Sequence, residues 1–202
     1  MSQKFTAPIG CEEGKLYPIT ETPAKLTYAE PTDMSALKTY QLAVTIAEAS
    51  QYGDDVVIDS VAQITGGTLT EQTAGETDEV LSLINGNEND DGETIIGADD
   101  VAPALGHSLL TKLRSKTTGE TQEGWRAWFF FKVKYNPVAH NATGKTESLS
   151  YGVTDLTAKM LPNPMKKYAR RKDFFGETAL ADARAWLRTV AGLPATAPTP
   201  AP

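Results

Sequence analysis

Few side chains in this 202-residue chain have the type and spacing that covalent or metal chemistry demands. Gly106-His107-Ser108 sets a histidine beside a serine. A nucleophilic pair also needs a third group to orient the base, and a serine elbow needs flanking glycines that Ser108 lacks. The simpler reading of His107 is a surface histidine with its hydrogen bonds satisfied. His140 falls in Asn136-Pro137-Val138-Ala139-His140-Asn141, read as a loop, with no carboxylate or cysteine at ligand spacing. Asn87 to Gly92 imitates the opening of a calcium loop, with oxygen ligands at positions 1, 3 and 5 and glycine at position 6. The twelfth position, where a bidentate glutamate should close the cage, is Ala98, so the segment reads as a solvated acidic loop. Gly66-Gly67 leads into Thr68-Leu69-Thr70 rather than into the Gly-Lys-Ser/Thr start of a phosphate cradle. One cysteine, Cys11, and two histidines leave too few ligands for a structural zinc site. No catalytic residue, cofactor or metal is therefore expected, and nothing argues for an enzyme.

Composition bounds the class of protein without naming a function. With 40% hydrophobic and 22% charged residues, the chain is an ordinary folded protein, long enough to bury a core without disulfides. No run of about 18 apolar residues is present, so membrane insertion is not expected, and Met1 to Thr6 lacks the apolar stretch of a secretory signal. The net charge of −7 is unevenly divided. Residues 1–110 carry 19 acidic against 4 basic side chains, a formal −15, and residues 111–202 carry 7 against 15, a formal +8. Either the halves neutralise each other within one folded unit, or they present two opposite surfaces. The densest basic run is Lys166, Lys167, Arg170, Arg171 and Lys172, which is able to contact phosphate. The acidity of the whole chain repels duplex DNA at long range and weighs against a DNA-binding protein.

Most of the chain reads as strand. Tyr40, Leu42, Val44 and Ile46 alternate with more polar positions, and Val56 to Ile64 is rich in β-branched residues, ending at a turn expected at Gly66-Gly67. The strongest strand is Trp125 to Tyr135. Its odd positions, Trp125, Ala127, Phe129, Phe131, Val133 and Tyr135, predict an unbroken apolar face, and its even face, with Trp128 and Phe130, is half aromatic and needs a cover. Ser108 to Lys116 is expected to pair with it across a long loop from Thr117 to Gly124, and Thr146 to Thr154 alternates as a further strand. Thr77-Asp78-Glu79 opens a short helix that Asn85-Gly86 closes. A longer helix starts at Thr178, carries Leu180, Ala183, Leu187 and Val190 at helical spacing, and stops at Gly192 and Pro194. The expected core is Trp125, Phe129, Phe131, Val133, Leu180 and Leu187, with the longer helix resting on Trp128 and Phe130.

In order and spacing these features resemble the major tail proteins of siphophages that infect Gram-positive bacteria. The resemblance rests on Ile9-Gly-Cys11 to Pro31, Tyr52-Gly-Asp54-Asp55, the helix ending at Ile84-Asn-Gly86, Trp128-Phe-Phe-Phe-Lys132-Val-Lys134-Tyr-Asn-Pro137, Lys145-Thr-Glu147-Ser-Leu149, and Phe174-Phe175 leading into Ala179 to Ala191. It spans roughly residues 9–192. It implies a mainly β (α+β) fold, a tail-tube β-sandwich or partial barrel with a flanking C-terminal helix and one short mid-chain helix. Residues 1–192 would form the tail-tube domain, 1–30 being its N-terminal arm and first hairpin, and 193–202 a disordered proline-rich tail. It further implies a structural virion protein, assembled in the bacterial cytoplasm, whose hexameric rings stack into the tube of a bacteriophage tail. Its partners would be further copies of itself, the tape-measure protein, and the terminator and initiator proteins of the tail. Phage DNA would cross the lumen without specific binding, helped by a formal −42 per ring of six chains.

Two surfaces are expected to meet neighbouring subunits. One is the basic run Lys166, Lys167, Arg170, Arg171 and Lys172. The other is the acidic segment from Asn85 to Asp100, read as a mobile loop, with Asp90 and Asp91 at its tip and Ile95 and Ile96 in need of cover. The alternatives are a tube protein of a type VI-like or contractile injection apparatus and a ligand-binding β-sandwich.

Overall fold

The computed structural model describes residues 5–53, 56–90, 93–117, 120–138 and 153–195. They form β1 (Phe5–Glu21), β2 (Leu26–Tyr28), β3 (Thr32–Asp33), β4 (Leu37–Gly53), β5 (Val56–Thr73), α1 (Asp78–Asn85), β6 (Glu88–Asp90), β7 (Glu93–Ile95), β8 (Ala104–Thr117), β9 (Glu120–Tyr135), β10 (Thr154–Met160), β11 (Ala169–Phe175) and α2 (Ala179–Ala191). The protein is mainly β. Its large sheet is antiparallel throughout, in the order β2-β1-β8-β9-β10-β5-β4, with β11 beside β9 and β3 beside β1. Residues 139–152, including most of the expected Thr146–Thr154 strand, lie outside the described residues, as do residues 196–202 of the proline-rich tail.

The sheet bends around one cluster that gathers Leu16 of β1, Leu37 of β4, Leu69 of β5, Leu109 of β8, Phe130 of β9 and Leu156 of β10, together with Val80 and Ile84 of α1. No ladder joins β1 to β4 among the described residues, so no barrel closes. Thr77 starts α1 as expected: its side chain accepts a hydrogen bond from the Val80 amide, and Gly86 ends the helix in the left-handed region.

A second cluster lies on the other face of β8 and β9, where Ala127, Phe129 and Phe131 meet Ala183, Leu187 and Ala191 of α2. Trp125 and Leu180 are partly buried at its margin. This corrects the expected seat of the helix. It covers the Phe129 and Phe131 side of β9, while Phe130 and Trp128 stack on each other, centroids 5.8 Å apart, against the first cluster. Thr178 does not cap α2 through the backbone; its hydroxyl donates to Asp182 Oδ2 at 2.8 Å instead.

The apolar face of β9 is also not continuous. Leu105 pairs with Val133 but His107 pairs with Phe130, so Gly106 stands opposite two residues, Phe131 and Lys132. This bulge resets the alternation. Val133 and Tyr135 turn away from α2 and join Phe130 in the first cluster. Gly66-Gly67 is another correction, since both glycines lie inside β5, not in a turn. A Cβ on Gly67 would run into Met160 Cε on one side and the Ala43 carbonyl on the other, so the strands approach where only glycine fits.

Candidate functional site

The acidic and basic halves of the chain partly neutralise each other across the fold. Arg184 of α2 holds Glu13 of β1, Arg188 holds Glu30 through two bonds of 2.9 Å, and Lys132 meets Glu21 at 2.6 Å. Hydrogen bonding from Arg188 keeps the Glu30 carboxyl below the usual carboxylate range. Arg126 and Asp173 form a bidentate pair, both bonds 2.8 Å long, tying β9 to β11.

The expected basic surface keeps its charge free. Lys166, in the left-handed region at φ 58°, and Lys167 lie in the connection before β11. Arg170, Arg171 and Lys172 lie on β11, which pairs with β9 alone. All five are exposed, and no ion pair among the described residues engages them. The strand divides them between its two faces. Arg171 lies over the Trp128 ring at 5.3 Å, while Lys172 lies over Phe174 at 4.9 Å, and Phe174 in turn packs edge-on against Trp186 of α2.

The expected acidic loop is in part a hairpin, β6 paired with β7, because Thr94 and Ile95 favour strand and Thr94 is held by Ser82 of α1 across 3.3 Å. Ile95 is 48% and Ile96 71% exposed. Asp90 ends β6, and Asp91 lies outside the described residues. Glu88 and Glu93 are exposed and in no ion pair among the described residues.

A third surface went unread in the sequence. Among the described residues β10 pairs with β5 only from Gly67 to Thr73, so beyond Gly67 β4 and β5 continue there as a two-stranded arm for about ten residues, roughly 33 Å. Along β4 the face holding Tyr40 and Leu42 against the first cluster continues into Val44 and Ile46, and Ile64 of β5 lies directly opposite Ile46. Val44, Ile46 and Ile64 are each about half exposed. The inward face of the strand thus outruns its own core. The signal was present as alternation through Ile46, but alternation does not reveal where the covering layer stops.

His107 is the clearest correction among the candidate residues. It is fully buried on the inner face of β8, where its Nε2 donates to Glu71 Oε1 at 2.9 Å and the Tyr135 hydroxyl donates to Glu71 Oε2 at 2.8 Å. Burial and the facing Glu71 carboxylate push the Tyr135 phenol well above its ordinary range. Glu71, His107 and Tyr135 are all 2% exposed or less, so the cluster is closed to solvent and ties β5, β8 and β9 together. Phe129, Phe131, Val133 and Leu187 are buried as expected. No protein-family model matches the chain, and no curated protein sequence matches it.

Proposed function

We propose that this protein is a structural virion protein that associates with copies of itself into hexameric rings stacked as the tube of a phage tail, the conduit for genome delivery. The observation that carries this reading is the β4–β5 arm. An isolated two-stranded ribbon is marginal in water, and this one leaves Val44, Ile46 and Ile64 about half exposed. Such an arm gains cover when it lies on another subunit. A contact between an arm and a different surface of the next copy is heterologous, so it propagates along an axis instead of closing a dimer. The resemblance over residues 9–192 supplies the ring, the tape-measure, initiator and terminator partners, the passage of DNA and the place in the virion.

Sedimentation velocity with negative-stain microscopy of the purified chain, with tail initiator added, tests the reading. Rings or tubes are expected from the native sequence. Ile46→Asp with Ile64→Asp is expected to leave folded monomers only. A native chain that stays monomeric in the presence of initiator overturns the proposal.

A further inference from the structure

We infer that the β6–β7 hairpin of one copy docks on the β11 edge of the next. This inference rests on the self-assembly reading and identifies the two surfaces that set the polarity of the stack. Two sets of opposite charge make no ion pair among the described residues. Glu88 and Glu93 stand exposed on the hairpin, and Lys166, Lys167, Arg170, Arg171 and Lys172 stand exposed along and before β11. The signs are complementary, and β11 has one edge unladdered among the described residues.

Arg170, Arg171 and Lys172 sit at the opposite end of the subunit from the hairpin, and Lys166 and Lys167 lie nearer mid-strand, just before Tyr168, whose carbonyl accepts from the Phe131 amide. β10 registers Ala158 with Tyr135 and Leu69, and Met160 with Val133 and Gly67, so falling numbers lead the same way in β9 and in β5. The arm and β11, which faces Gly124 to Phe130, share that end. The hairpin belongs to the other end, since α1 is held there by the bond from the Val138 amide to Asn85 Oδ1, 2.9 Å long, just past Tyr135. From Trp128, opposite Arg171, to Tyr135 is seven residues of β9, about 23 Å at strand rise. That exceeds a Debye length of about 8 Å at physiological salt, so one subunit does not neutralise itself here. Translation of a second copy along the strand direction brings its acidic end to the basic end of the first. Ile95 and Ile96 then enter the contact beside the charges.

A charge swap tests this. Lys166→Glu with Lys167→Glu and Arg170→Glu makes one variant, leaving two cations against three anions in that set, and Glu88→Lys with Glu93→Lys makes the other. None of these five side chains makes an ion pair or ring contact among the described residues, and circular dichroism confirms that each variant is folded. Each alone carries like charges on both surfaces and is expected to self-associate at least about tenfold more weakly than the native chain. Mixed in equal amounts they are expected to recover association, because every junction in an alternating stack is again complementary. A misfolded variant does not recover on mixing. Native association is also expected to weaken between 0.1 M and 1 M salt, as the Debye length falls from about 10 Å to about 3 Å. Variants that assemble like the native chain, or that stay apart when mixed, overturn the docking while native tubes leave the self-assembly reading standing. In the first outcome β11's cations serve only to keep its edge from pairing. A native chain that does not assemble overturns both.

Discussion

Glu71 and His107 meet at 2.9 Å with both side chains fully buried, although β9 and β10 separate their strands in the sheet. The contact crosses the interior where no backbone ladder does, and Tyr135 completes it from β9. It lies on β5, the strand that continues into the arm, so this polar tie fixes the wall from which the arm projects. The His107 ring stacks on Phe130 at 5.9 Å, and its Nδ1 has no partner among the described residues.

Glu71→Ala leaves the Tyr135 hydroxyl and His107 Nε2 unpaired in an apolar interior. The expected loss is roughly 2–6 kcal/mol, from about 1–3 kcal/mol for each of the two stranded groups. Replacing all three together, as Glu71→Leu, His107→Leu and Tyr135→Phe, should recover much of it, because no polar group is then left unpaired. Urea denaturation of both variants measures this; a single variant within 0.5 kcal/mol of the native chain is the contrary result.

Leu187 is 3% exposed between α2 and the Phe129 side of β9. Leu187→Ala should cost about 2–5 kcal/mol in the monomer. Ile46→Ala, on the open arm, should change monomer stability by no more than about 0.5 kcal/mol. Equal losses at both positions would mean that the arm is covered within its own subunit.

The adjacent glycines of β5 should respond differently to alanine. At Gly66 the nearest atom to an added Cβ is the Met160 carbonyl oxygen at 3.7 Å, an ordinary contact. At Gly67 the methyl meets the Ala43 carbonyl and Met160 Cε together, and backbone on a central strand yields little. Gly67→Ala should cost about 1–3 kcal/mol, and Gly66→Ala less than about 0.5 kcal/mol, in thermal unfolding.

Tyr17, Tyr28 and Tyr135 all have phenols raised above the ordinary 10, in each case first because burial penalises the phenolate. A raised folded value means that the native state holds its proton longer than the unfolded chain does. Stability from these groups is therefore full below about pH 10 and is lost as pH rises above it, at up to about 1.4 kcal/mol per pH unit for the fully buried Tyr135. Urea titrations from pH 8 to 11.5 should show a plateau and then a decline. The absorbance of tyrosinate should rise in two stages, the second coinciding with unfolding. A single stage near pH 10 with the fold intact is the result that contradicts buried phenols.

Local sequence determined the elements and the short-range signals. The Thr77 and Gly86 ends of α1, the stripe of α2, the pairing of β8 with β9 and the run of aromatics in β9 were legible because each depends on neighbours a few residues away. The long loop expected from Thr117 to Gly124 is mostly strand, with Thr117 paired to Glu120. The exposed charges of β11 were legible as a cluster, since their spacing is local. Tertiary structure decided which face each element shows and to what. Phe129 and Phe131 face α2 while Val133 does not, because the bulge opposite Gly106 depends on register with another strand. Gly66-Gly67 continues a strand because Ala43 and Met160 close on it from distant parts of the chain. His107 is buried because Glu71, 36 residues away, supplies the partner that makes burial tolerable. The same holds for the arm: alternation from Tyr40 to Ile46 marks an apolar face, and only the length of β10 decides that half of it is left uncovered.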